Sequence, residues 1–172
     1  MAPTPERLPR FHDTIYSMRL LIQRVSSASV SVEGRTVGKI GQGLVILAGF
    51  SHRDGQEQVD QLAEKAVNLR IFEDGEGKMN LSLSTAGGGI LLISQFTLYA
   101  DCRRGRRPSF TEAARPDQAG EIYHQLIEKF RGYGIDVQTG IFGARMSVEI
   151  HNDGPVTMML DSEEGVAPHG HR

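Results

Sequence analysis

The chain has 172 residues, a formal charge of −2, six histidines, one cysteine and no tryptophan. Its length favours one domain that buries enough surface to hold itself together without staples. The near-neutral charge excludes nucleic-acid binding by global electrostatics, so any RNA contact must be local. Cys102 alone excludes an intramolecular disulfide and fits a reducing compartment. No apolar stretch approaches the roughly 20 residues that span a bilayer.

Residues 1–17 hold three prolines and no continuous apolar run, which reads as a flexible extension and not as a secretory signal. Leu20-Leu21-Ile22 then opens a strand, and Ala28 to Val32 alternates at period two. Glu33-Gly34-Arg35 fits a hairpin turn into a strand over Thr36 to Ile40. After the break Gly41-Gln42-Gly43, Leu44 to Phe50 predicts a strand buried on both faces. Asp54 with Glu57 three residues on fits a capping box. Val59, Leu62, Ala63, Ala66, Val67 and Leu69 follow at helical spacing, so a helix is predicted from Gly55 to Leu69.

Turns are expected at Glu73 to Gly77 and at Ala86 to Gly89, flanking a buried strand Ile90 to Ile93 on its N-terminal side. That strand runs into Ser94-Gln95-Phe96-Thr97-Leu98-Tyr99-Ala100-Asp101 and then a basic loop, Arg103 to Pro108. Pro116 suits the first turn of a second helix with Ile122, Leu126, Ile127 and Phe130 on its apolar face and stop signals at Gly132 and Gly134. Strands are expected over Ile135 to Val137, Met146 to Ile150 and Val156 to Leu160, the last two interrupted by Asn152-Asp153-Gly154-Pro155. Residues 163–172 read as a flexible tail, which leaves 18–162 as the folded domain. Two helices among roughly eight strands make this a mixed α/β domain.

The usual hydrolytic kits are missing. The histidines show no HExxH or paired Cys/His spacing, so no metal site is expected, and the His169-Gly170-His171 end reads as tail. Neither a Gly-x-Ser-x-Gly elbow nor a P-loop occurs. Cys102 lacks an adjacent base and reads as a surface cysteine near a site. Thr97 has no visible activator, so a strand threonine satisfied across the sheet competes with a pocket role. Ser94 to Thr97 and Gly154-Pro155 both fall where strands end, a common seat of binding chemistry.

Those two segments, with Met18 to Val25, Asn68 to Phe72, Lys78-Met79-Asn80 and Gly105 to Phe110 in this order, resemble the D-aminoacyl-tRNA deacylases. That editing family hydrolyses the ester between a D-amino acid and tRNA. The resemblance covers Met18 to Ser162, and Met18 falls where the family begins, so residues 1–17 also fit a start upstream of the usual one. It implies a single three-layer α/β/β domain, with barrel-like curved mixed sheets and two main helices. It implies a cytoplasmic homodimer that edits D-aminoacyl-tRNA, uses no cofactor, and binds neither DNA nor membrane. Glycyl-tRNA (mischarged tRNA(Ala)) is expected as a second substrate, because glycine has no side chain to exclude.

In residue terms, the resemblance makes Ser94, Gln95, Phe96 and Thr97 the catalytic stretch, giving backbone N–H donors while the 2′-hydroxyl of the terminal adenosine helps to activate water. Gly154 and Pro155, joined by a cis bond, would enter the partner subunit's pocket and reject L-amino acids with main-chain atoms. On that reading a Cβ at position 154 would enlarge the wall. Arg24 would brace the Gly-Pro step, against the plainer reading of a surface arginine at a strand end. Arg103, Arg104, Arg106 and Arg107 would hold acceptor-stem phosphates, against a merely solvated loop. A catalytically inactive RNA-binding or dimerisation module of the same fold is the rival reading.

Overall fold

The computed structural model describes residues 17–162. The expected N-terminal extension up to residue 16 and the tail from residue 163, with its histidines, lie outside the described residues. Ser17 is itself buried, donates to the Asp161 carboxylate and accepts from the Tyr99 hydroxyl through its carbonyl.

The elements run β1 (Arg19–Val32), β2 (Arg35–Ile40), β3 (Gly43–Gly49), α1 (Gln56–Asn68), β4 (Phe72–Glu73), β5 (Met79–Leu81), α2 (Leu83–Ala86) and β6 (Gly89–Ser94). A 3-10 turn (Phe96–Tyr99), α3 (Pro116–Gly132), β7 (Val137–Thr139) and β8 (Ser147–Asp161) complete them. The mixed α/β class is borne out, with a third, one-turn helix added. The main sheet runs β2-β1-β3-β6-β7 with β8 on β1, and β6 is parallel to both β3 and β7.

Two expected strand pairs prove to be single long strands. β1 is continuous through Gln23 to Ser27, pairing with β3 over Arg19 to Val25 and with β2 over Ala28 to Val32. A register shift against β8 between Val25 and Ser27 resets the alternation. Leu20 and Ile22 therefore face the helices, while Val25, Ala28 and Val30 all face the second core. This bend wraps β2 and the first half of β8 over the sheet and gives it a nearly barrel-shaped curvature. The polar residues Ser26 and Ser27 hid that continuity.

The central strands are buried on both faces, as their apolar runs predict. Leu44, Ile46, Ile90 and Leu92 meet α1 and α3, whereas Val45, Leu91 and Ile93 meet Ile40, Met146 and Val148. The two helices are joined by Lys129 Nζ on Asp60 at 2.8 Å, a contact that also holds the Asp60 carboxyl below its usual range. The capping box lies elsewhere than expected. Asp54 instead accepts from the Ser51 N–H at 2.6 Å, and Gln58 Oε1 takes the Gly55 N–H at 2.9 Å at the start of α1. Asp54 closes the β3–α1 turn, since its own N–H also donates to the Ser51 carbonyl at 3.2 Å.

Candidate active site

β6 ends at Ser94, and the chain turns out of the sheet after Gln95. The Gln95 N–H donates to the Ala48 carbonyl at 2.7 Å, and Leu98 N–H closes a tight turn onto Gln95 O at 3.2 Å. The first N–H groups of such a turn have no carbonyl behind them. Phe96 and Thr97 are those residues, and their N–H groups have no partner among the described residues. Gln95 is thereby removed from the expected set of backbone donors, and Ser94 lies in the β3–β6 ladder. Thr97 is exposed in the turn and not in a strand, which overturns the cross-strand reading. Its hydroxyl accepts from Gln95 Nε2, so the two side chains hold each other.

Beside this turn lies a cleft of about 670 Å³. Ser94, Gln95 and Phe96 line one side, and Phe110, Phe142 and Met146 another. The ring of Phe96 is 56% exposed at the rim and meets Phe110 edge-on at 5.0 Å. Phe142 is set by Tyr123 at 5.8 Å, whose hydroxyl is anchored on Leu92 O at 2.7 Å. Arg115 is the one ionisable side chain in the lining. Phe110, Phe142 and Met146 went unread as site residues. The available signal was an apolar pair, Ile141-Phe142, left exposed between Gly140 and Gly143 in a turn.

Gly154 and Pro155 are absent from that lining. They lie on β8, across β1 and β3 from the β6 turn, so one chain does not bring the two motifs together. Thr157 pairs with Gln23 and Asn152 with Val25, so four residues, Asp153 to Val156, stand opposite Arg24 alone. The excess forms an exposed loop with a cis Gly154–Pro155 bond. Arg24 is only 4% exposed, which corrects the surface reading. Its guanidinium donates to Asp153 O at 3.1 Å and Ile71 O at 2.7 Å, and its charge faces the Asp153 carboxylate at 3.3 Å and Glu73 at 3.9 Å.

Gly154 has φ +135°, a region that L side chains rarely adopt. A Cβ built there meets Val156 Cγ2 at 2.8 Å and Arg24 Nη2 at 3.2 Å. It points back into its own chain, so the expectation that it would thicken an outward wall is corrected.

The basic loop is pinched at its base by mutual backbone bonds between Asp101 and Ser109. Arg103 folds back on the Asp101 carboxylate, with contacts of 2.8 and 2.7 Å, and holds that carboxyl well below the usual range. Arg104, Arg106 and Arg107 are exposed, and Cys102 is a free, exposed thiol. Among the described residues no three His, Cys, Asp or Glu side chains converge as a metal site would need, and no helix is long and apolar enough to cross a membrane.

An apolar cleft with two preorganised N–H donors at its rim suits a compact group that presents an acceptor oxygen. Comparison with known proteins gives that class a family. A family profile described as D-Tyr-tRNA(Tyr) deacylase matches residues 21–161. A D-aminoacyl-tRNA deacylase of Fervidobacterium nodosum is 58% identical over 147 residues, 86% of this chain and 99% of the relative. One of Bacillus licheniformis is 56% identical over 146 residues, covering 85% and 99%. A solved structure described as c-Myc DNA Unwinding Element Binding Protein is 38% identical with TM-score 0.78, over 83% of this chain and 97% of that one. A probable eukaryotic D-amino acid tRNA deacylase, 20% identical, shares the fold at TM-score 0.73 over 84% and 99%. The chain belongs to the D-aminoacyl-tRNA deacylase family, whose members are hydrolases of the aminoacyl-tRNA ester.

Proposed function

We propose that this chain hydrolyses D-aminoacyl-tRNA to free D-amino acid and tRNA, using the cleft beside Phe96–Tyr99. The observation that carries this reading is the pair of unengaged N–H groups on Phe96 and Thr97. An aminoacyl ester is already activated, so the barrier lies in building negative charge on its carbonyl oxygen. Donors fixed before the reaction stabilise that oxyanion, and removing one from such a pair typically costs about 3–4 kcal/mol. Water adds to the carbonyl carbon with the adenosine 2′-hydroxyl assisting. The ester C–O bond then breaks and the 3′-oxygen of the tRNA leaves with a proton. No covalent intermediate on Thr97 is needed, because its hydroxyl accepts from the Gln95 amide, which is a donor and not a base, and so has no activator.

In this reading Gly154-Pro155 of a second copy completes the cleft and rejects L-amino acids. Three features support a dimer. The loop is exposed and braced, yet far from its own chain's cleft. β8 pairs with β1 alone among the described residues, which leaves its other edge open on both sides of the loop, over Ser147 to Asn152 and Thr157 to Asp161. Leu21 stands between Leu47 and Met159 in register, an apolar row with Met159 exposed. Glycyl-tRNA is a second substrate, since a main-chain wall has nothing to reject in glycine. Arg104, Arg106 and Arg107 hold acceptor-stem phosphates, with Arg103 serving mainly to close the loop. Cytoplasmic editing accords with a lone, free cysteine.

Incubation with D-Tyr-tRNA and L-Tyr-tRNA tests the proposal. Release of D-tyrosine alone is expected. Release of neither amino acid, with tRNA still bound, would establish the inactive binding module instead.

A further inference from the structure

We infer that Asn152 is a positioning residue for Gly154-Pro155 and sets how strongly D- and L-esters are told apart. The inference rests on the proposed function, because it concerns the loop that reading assigns to chirality. A strand normally satisfies its N–H and C=O groups through the ladder. Between the pairs Gln23↔Thr157 and Val25↔Asn152 that ladder is lost over Asp153 to Val156. Buried main-chain groups need replacement partners there, and Val156 is buried.

The Asn152 side chain supplies them. Its Oδ1 accepts the Val156 N–H at 2.9 Å, while Nδ2 donates to Thr157 Oγ1 at 3.0 Å and reaches Val156 O at 3.4 Å. The N–H of Val156 is a donor only, which fixes the orientation of the amide. A hydroxyl donates and accepts through one oxygen, whereas the Asn amide carries its donor and its acceptor on separate atoms and can serve both residues at once. Asn152 therefore acts as a surrogate strand across the mouth of the loop. Arg24 holds the same loop from the interior, through Asp153 O. The exposed Gly154-Pro155 step is clamped on both flanks. Releasing one flank lets it swing away from the position a steric filter requires.

The test compares parent, Asn152→Asp and Asn152→Ala in full-length protein, reading kcat/KM on D-Tyr-tRNA and L-Tyr-tRNA together with thermal unfolding. Asn152→Ala is expected to lower the D/L ratio at least about tenfold, equivalent to about 1.4 kcal/mol, through gain of L-ester cleavage relative to D. Asn152→Asp keeps the acceptor for Val156 N–H and loses both donations, so its ratio should fall between the other two. If the alanine variant fails to fold, the aspartate variant decides by the same ratio. An unchanged ratio, or D and L rates falling in proportion with a lower melting temperature, overturns the positioning role. A parent that cleaves both enantiomers alike defeats the proposed function itself, and shows this before any variant is read.

Discussion

Gly154→Ala is the substitution on which the loop geometry speaks most sharply. The new methyl would sit 2.8 Å from Val156 Cγ2 and 3.0 Å from the Val156 nitrogen, with Arg24 Nη2 at 3.2 Å. Val156 is buried and β-branched, so its side chain has few places to go. A non-glycine residue at φ +135° adds strain of about 1–3 kcal/mol. A domain of this size loses roughly 2–4 °C of melting temperature per kcal/mol. A fall of about 2–12 °C is therefore expected by differential scanning fluorimetry. Because the methyl presses on the loop from behind, relief comes by displacing Gly154-Pro155. Single-turnover assays on D-, L- and glycyl-tRNA should then show a lower D/L ratio, and not a uniform loss on D and glycyl substrates from a thicker wall. A parent-like melting temperature with unchanged rates on all three would refute both the packing argument and the loop's place against the substrate.

Thr97→Ala should keep single-turnover deacylation within about tenfold of the parent, since the Thr97 N–H survives, whereas replacing the adenosine 2′-hydroxyl by hydrogen should cost more; a trapped aminoacyl ester on Thr97 would contradict this. Changing Arg104, Arg106 and Arg107 together to Gln should weaken tRNA binding and flatten its salt dependence, measured by filter binding from low to physiological salt, while Arg103→Gln should do less because Arg103 is held by Asp101. Burial pushes the Asp54 carboxyl up to about 6, against hydrogen bonds from Ser51 and Met18 that pull it down. The native state thus holds an extra proton between pH 4 and 6, and this group's contribution to stability is lost as pH rises through about 6. Asn at 54 does not titrate, so denaturant unfolding should move in favour of Asp54→Asn by on the order of 2 kcal/mol from pH 4.5 to 7.5. A pH-independent difference would show that the Asp54 carboxyl titrates at its ordinary value.

Elements whose period is strong were readable from residues alone. The apolar runs at Leu44 and Ile90 became doubly buried strands, and the helical spacing from Val59 and from Ile122 became α1 and α3. What escaped depends on pairing between distant segments. Nothing local says that Ser26 and Ser27 continue a strand, because β8 alone supplies the edge that keeps them in the sheet. Arg24 looks like a solvent residue until the Asp153 and Ile71 carbonyls close around it. In the site, the motif around Ser94 was visible. Which of its N–H groups are unengaged was not, since that depends on Ala48 O reaching Gln95. Phe142 and Met146 come from the β7–β8 connection, distant in sequence from Ser94, and carry no motif of their own.

The most direct measurement is a crystal structure with a non-hydrolysable 3′-D-tyrosyl-amino-adenosine analogue bound. The carbonyl oxygen is predicted to lie about 2.7–3.1 Å from the N–H nitrogens of Phe96 and Thr97, with the loop carrying Gly154-Pro155 of a second copy against the α-carbon. An analogue bound elsewhere, or one whose carbonyl faces away from both N–H groups in a cleft closed by a single chain, would contradict the account.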